Sequence, residues 1–259
     1  MRKGDEKRQA ILDVAEKLFY TKGYEATSVQ DILDVLDTSK GSFYHHFESK
    51  EQVLATLCAQ RAARAVTQAK EALAAEETPL DKLRTVFFYA MPLRKGEEKF
   101  LSLLLPLLDK PEGLSVRVRY QDALREGFHD LMAETLDQCR EAEVVFSLDN
   151  PYLPGMMLDL MNQCWMSVAR ELLRALSEGR PLEPGVLVDV MEMYRFALER
   201  ILDAPYGAIE LIRVPEMLDV LRPVLVQLKL PMALYNCLRT GFRARTAVPC
   251  KVQPQPRGA

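Results

Sequence analysis

The sequence has no excess of basic residues: 34 Lys and Arg stand against 37 Asp and Glu, a formal charge of −3. A cationic surface over the whole chain is therefore excluded, although a larger acidic domain can mask one small basic face. No C-x-x-C pair occurs. Cys58, Cys139, Cys164, Cys237 and Cys250 are scattered and odd in number. That pattern argues against a zinc cluster or a disulfide framework, so reduced thiols in or near a core are expected. No apolar run reaches the ~18 residues that a membrane span needs. The N-terminus is charged and has no apolar h-region, so no secretory leader and a cytoplasmic location are expected. G-x-S-x-G, H-E-x-x-H and a phosphate-binding glycine loop are all missing. Of three histidines, two are adjacent, leaving His129 as the one free general-base candidate. An enzyme is not expected, nor a metal or cofactor.

What the sequence does have is helical periodicity. Apolar residues recur every three to four positions over long stretches, and alternating strand-like patterns are scarce, so the fold class expected is all-α. At 48% apolar over 259 residues, the chain can bury one small and one larger domain. After a polar start to about residue 8, Ile11, Leu12, Val14, Ala15, Leu18 and Phe19 form one stripe, and Gly23 stands where a helix C-terminus favours a left-handed residue. Thr27-Ser28-Val29-Gln30 reads as a capping box with Thr27 as N-cap. It opens a short helix with Val29, Ile32, Leu33 and Leu36 inward. A polar break at Asp37-Thr38-Ser39 leads to a third helix over 40–47, with Phe43 and Phe47 on one face. Ser49 to Gln52 is a second box, opening a long fourth helix. Further helices are expected over 80–94, 97–109, 114–141, 152–178, 184–203 and 206–230. Residues 239–259 hold five basic residues, no acid and three prolines, which reads as a disordered basic tail. The domain division expected is 1–50, 51–235 and a tail over 236–259.

Three short helices within 50 residues, the last two joined by a tight polar turn, suit a helix-turn-helix. One helix must enter a groove about 12 Å wide while another braces it. Lys40, Gly41 and Ser42 supply a small, polar leading end, and Phe43 and Phe47 supply apolar anchors on the opposite face.

The run AEKLFYTKGYEATSVQDILDVLDTSKGSFYHHFESKEQVL resembles the DNA-binding domain of the TetR family of repressors. Phe19, Gly23, Tyr24, Thr27, Ile32, Gly41, Tyr44, Phe47, Lys50 and Leu54 stand at that family's spacing, and the resemblance covers roughly residues 6 to 55. It implies a double-stranded DNA operator as partner, a homodimer and a small-molecule effector. Position and resemblance together nominate Thr27 and Ser28 for a phosphate at the second helix's start, and Lys40, Gly41 and Ser42 for base edges. They nominate Tyr44, His45 and His46 for flanking phosphates, and Lys50 for another phosphate. Each also has a plain structural reading: Thr27 as a cap, Tyr44 and His46 as partly packed, Lys40 as solvated. Residues 1–50 hold eight Lys/Arg and nine Asp/Glu, so few phosphate contacts per domain and a need for two domains are expected. Asp13, Glu16, Asp31 and Asp34 are expected to face away from DNA.

For the remaining four-fifths, the resemblance is one of helix number and length, and implies a larger helical domain for ligand binding and dimerisation. Met157, Met161, Cys164, Trp165, Val168 and Leu172 form one apolar stripe, and Val186, Val190, Met193, Tyr194, Ala197 and Ile201 another. Phe128, Met132, Met157, Met161 and Trp165 bring flexible thioethers beside aromatics, which suits a pocket for varied apolar ligands and equally an ordinary core. Glu134, His129 or Arg170 is the polar anchor available to such a ligand. The function expected is a homodimeric repressor released from a palindromic operator by a small apolar ligand, with control by a partner protein as the alternative.

Overall fold

A computed structural model describes residues 3–108, 110–147, 149–178, 186–211 and 214–228, so the expected tail at 236–259 lies outside the described residues. Among the described residues no strand occurs. The helices are α1 (Lys3–Thr21), α2 (Val29–Leu36), α3 (Lys40–His46), α4 (Lys50–Leu73), α5 (Pro79–Ala90), α6 (Glu98–Leu104), α7 (Pro111–Glu141), α8 (Leu153–Ser177), α9 (Val186–Ile201) and α10 (Val214–Gln227); a 3-10 turn, Leu105–Leu107, extends α6. None of them is long and apolar enough to cross a membrane.

Helix α1 starts earlier than its apolar stripe because Asp5 and Glu6 sit in its first turn, where acidic side chains complement the helix dipole. Ile11, Leu12, Ala15 and Phe19 are buried. The helix ends before Gly23, whose φ of +91° needs a residue without a Cβ.

The capping box of α2 lies one residue later than the sequence suggests. Ser28, not Thr27, is the N-cap: its Oγ accepts the N–H of Asp31 at 3.1 Å, and the Asp31 carboxylate accepts the N–H of Ser28 at 2.6 Å. Thr27 turns inward instead, 1% exposed, and its hydroxyl donates to the carbonyl of Gly23 at 2.7 Å. Asp37 closes α2 in the left-handed region, φ 47°, and Ser39 caps α3 by accepting the N–H of Ser42. Ser49 caps α4 as expected.

In the larger part, α4 packs mainly on α7. Buried Ala62, Ala65 and Ala69 give α4 a smooth face. A Cβ on Gly127 of α7 would stand 2.7 Å from Cγ2 of Val66, closer than real Cβ contacts come, so glycine permits this crossing.

Helix α8 buries the expected stripe from Met157 to Leu172. Helix α9 does not: it buries Leu187, Met191, Leu198 and Glu199, leaves Val186, Val190, Tyr194 and Ala197 half-buried, and exposes Met193 at 72% and Phe196 at 52%. Among the described residues, the expected stripe is thus only half covered: Val186, Val190 and Tyr194 pack on the core while Met193 and Ile201 stay exposed.

The helix expected over 206–230 begins only at Val214. Pro205 and the positive φ of Gly207 break it, and residues 204–211 run as a strap, with Ile209 and Leu211 buried. The carboxylate of Glu199, 1% exposed, fastens the strap by accepting the N–H of Ile209 at 3.1 Å; Arg195 neutralises it at 2.7 Å.

Candidate nucleic-acid interface

The inner face of α3 is apolar. Phe43 and Phe47 are 0% and 1% exposed, with the Arg8 guanidinium 4.9 Å from the Phe47 ring centroid. Helical geometry then places Lys40, Gly41, Tyr44 and His45 together on the opposite side, and all four are exposed. Tyr44, 55% exposed, rests the edge of its ring against Phe43 at 5.4 Å between centroids. Ser42 and His46 are half-buried at the borders of this face, and the His45 and His46 rings meet edge-on at 5.0 Å. Ser39 is also exposed at the tip of α3. By sequence Ser39 belongs to the polar break before the helix, and the signal for its capping role is its position three residues before Ser42, whose N–H it accepts.

Two nominated phosphate contacts take other roles. Thr27 is buried and donates inward. Lys50 also points inward: its Nζ donates to the carbonyls of Tyr24 and Thr27, each at 2.9 Å, and lies 4.2 Å from the Tyr24 ring centroid. The loop between α1 and α2 presents these carbonyls, and an ammonium at the start of α4 satisfies them better than water could in a half-buried site. Ser28 is exposed, but its hydroxyl donates to Asp31 at 2.7 Å. Lys22 meets the same carboxylate at 2.7 Å. Hydrogen bonds from Lys22 and Ser28 hold the Asp31 carboxyl well below the usual carboxylate range. The N-terminus of α2 thus already faces an anion of its own.

The other acids are occupied too. Glu16 accepts from Tyr20 and pairs with Arg61, Asp13 accepts from Gln9, and Asp34 accepts from Gln30. The positive charge on the outer face of α3 is Lys40.

The five pocket candidates lie deep in the interior. Phe128, Met132, Met157, Met161 and Trp165 are 3% exposed or less, and none lines any of five surface cavities among the described residues. A cavity of 270 Å³ opens close by between α5, α7 and α8, against Ala90, Leu124, Arg125, Leu158, Asp159 and Asn162. Another, of 620 Å³, lies between the Gly23–Ala26 loop and the 3-10 turn.

Residues 11–57 match the family model described as bacterial regulatory proteins, tetR family. The chain is 49% identical over 45 residues to an uncharacterized HTH-type transcriptional regulator from the lacX 3′ region of Lactococcus lactis subsp. lactis, covering 17% of this chain and 23% of that one. It is 46% identical over 48 residues to the HTH-type transcriptional repressor KstR2 of Rhodococcus jostii, covering 18% and 24%. With KstR2 of Mycolicibacterium smegmatis it shares 33% over 136 residues, 48% of this chain and 66% of that one. The first two matches thus span about a quarter of those relatives' own length. A solved TetR-family regulator from Syntrophomonas wolfei superposes over 78% of this chain and 98% of its own, with a TM-score of 0.51 and 18% identity, a likeness of fold. Matched residues, buried anchors and all-helical fold agree: residues 11–57 carry a helix-turn-helix of the tetR family of bacterial regulatory proteins, on a chain whose fold is like that of a solved TetR-family regulator.

Proposed function

We propose that this chain is a homodimeric repressor of transcription that occupies a near-palindromic double-stranded DNA operator and leaves it when a small, mostly apolar ligand enters the larger helical domain. One observation carries the reading: α3 holds Phe43 and Phe47 inward and Lys40, Gly41, Tyr44 and His45 outward. A helix so anchored fits a major groove, its basic and small residues leading toward base edges and its aromatic and imidazole groups toward the backbone.

Pairing is supported by α9, where, among the described residues, Met193 and Phe196 are exposed and Val190 and Ala197 half-buried beside them. A twofold arrangement through such a face sets two recognition helices about one DNA turn apart. The KstR2 relatives are transcriptional repressors. For the ligand, soft Met132, Met157 and Met161 with Phe128 and Trp165 make an interior able to repack, and Leu124 and Leu158, which line the 270 Å³ cavity, stand on the same two helices. Release follows if the ligand binds better to a state in which α4, shared by both domains, has tilted. The tight closure of those five side chains favours a second reading, in which a partner protein rather than a small molecule governs release.

Fluorescence anisotropy tests the reading: full-length protein, its own upstream intergenic DNA, a scrambled control and two salt concentrations. Nanomolar, salt-sensitive binding by two protomers per site is expected. Equal affinity for the scrambled duplex would overturn it. A ligand titration against the bound complex separates the two modes of release.

A further inference from the structure

Four charged side chains form a continuous, mostly buried path from the end of α5 to α1. Arg94, 5% exposed, donates through Nη1 to the carbonyls of Tyr89 at 3.0 Å and Met91 at 2.8 Å, where α5 ends. Its Nη2 donates to Oε1 of Glu97 at 3.2 Å. The second oxygen of Glu97 accepts from Nε of Arg61 on α4 at 2.7 Å. Arg61 then reaches in two directions. Nη2 donates to the carbonyl of Gly96 at 3.3 Å, and Nη1 lies 3.7 Å from the Glu16 carboxylate on α1. Tyr20, one turn further along α1, donates to the same carboxylate at 2.9 Å. The Phe100 ring covers the Arg61 guanidinium at 5.2 Å.

Two cations and two anions balance here, and Arg61 and Glu97 keep only 15% and 10% of their side chains exposed. Planar guanidinium groups with several fixed donors hold geometry as well as charge. Among the described residues, Lys110 with Glu25 ties the α1–α2 loop to the larger part as well, but that pair is exposed at 41% and 63% and exerts little hold. The buried path is therefore the stiff polar connection between the helix-turn-helix and the 91–97 turn. Its far end, Arg94, lines a 610 Å³ cavity together with Phe88, Tyr89 and Lys95, so a displacement of that turn reaches α1 through side chains already in contact.

We propose that Arg61 is a positioning residue for DNA recognition: by holding Glu97 on one side and Glu16 on the other, it fixes the tilt of the helix-turn-helix and so the spacing at which paired recognition helices read DNA. This rests on the paired DNA-binding reading above. Arg61 itself touches no DNA.

The test uses full-length protein and duplexes that it selects from a random pool, with zero, one or two base pairs then inserted between half-sites. For the unaltered protein, a two-base-pair insertion is expected to weaken binding by about tenfold or more, on the scale of lost specific contacts. In Arg61→Met, and more mildly in Glu16→Gln, the same insertion is expected to weaken binding by under about threefold, while base preferences within each half-site stay as they were. Glu16→Gln keeps the Arg61–Glu97 bond and so guards against loss of folding in the first variant. Arg61→Lys, with the charge but not the fork, is expected to fall between. If both variants keep the full spacing penalty, or lose affinity equally at every spacing, the role of Arg61 is overturned. If the unaltered protein selects single half-sites only, the paired reading is overturned and this proposal with it.

Discussion

The ammonium of Lys50 sits 4.2 Å from the ring centroid of Tyr24 and 2.9 Å from that residue's carbonyl oxygen. Tyr24 in turn packs its ring edge on Phe19 at 5.1 Å and donates its hydroxyl to Glu51 at 3.1 Å. The loop before α2 is thus clamped between α1 and α4. Lys50→Met keeps the aliphatic stem and removes two charged hydrogen bonds, so a loss of about 2 kcal/mol in urea unfolding is expected. The slope of log affinity against log salt should stay unchanged. A fall in that slope of ~0.9 would mean that Lys50 neutralises a phosphate instead.

The cap of α2 gives a second expectation. Ser28→Ala should lower stability by about 1 kcal/mol, as N-cap replacements do, while Gln30→Ala leaves it nearly unchanged. The Asp31 carboxyl has a folded pKa below its ordinary value, through its bonds from Lys22 and Ser28. Its contribution is therefore present above the unfolded value of ~3.9 and is lost as pH falls through the folded one. Urea melts of Asp31→Asn should differ from the parent at pH 7 and converge with it in strong acid.

On α3, exposed and buried positions should separate cleanly. Lys40→Ala is expected to weaken specific DNA binding by about 1–3 kcal/mol, the worth of a good base contact, and to shift stability by under about 0.5 kcal/mol. Phe43→Ala, at a fully buried position, should cost about 3–5 kcal/mol of stability. Parallel anisotropy and thermal melts would check both; a large stability loss in Lys40→Ala would remove it from the DNA face.

Burial pushes the thiols of Cys58 and Cys164 up to about 12 and that of Cys139 up to about 11. They stay protonated at pH 8, and native protein treated with N-ethylmaleimide should leave all three unmodified until urea is added, as site-resolved mass spectrometry would read. Because the folded values are raised, the stabilisation is full below the unfolded value of ~8.5 and declines as pH rises beyond it. Rapid labelling of Cys58 in the native state would contradict its burial.

The helix-turn-helix was legible because its anchors, Ile11, Phe19, Ile32, Phe43 and Phe47, repeat at helical spacing, and spacing is written in the chain. The cap at Ser28 was misread by one residue because Thr27 and Ser28 are equally competent caps, and Gln30 and Asp31 equally competent third residues. What decides is that Thr27 packs inward, a tertiary fact. The same holds for Lys50, whose partners lie 23 and 26 positions away. In α9, periodicity located a stripe but not which side of it the chain itself would cover. The Arg61 path draws on α1, α4 and the 91–97 turn, so no local pattern announced it.

The close crossing at Gly127 and Val66 gives α4 a fulcrum. Lys50 lies sixteen residues from Val66, a lever arm of roughly 24 Å at about 1.5 Å per residue, whereas Arg61 is only five residues away, roughly 7.5 Å. A rotation of about 5° about that crossing carries Lys50 through roughly 2 Å, but Arg61 through well under 1 Å, on the same rise per residue. Small angular changes are thus magnified at the helix-turn-helix end of the rod, so the Arg61 joint near the pivot sets the position of that end to within roughly 2 Å only by holding to well under 1 Å itself.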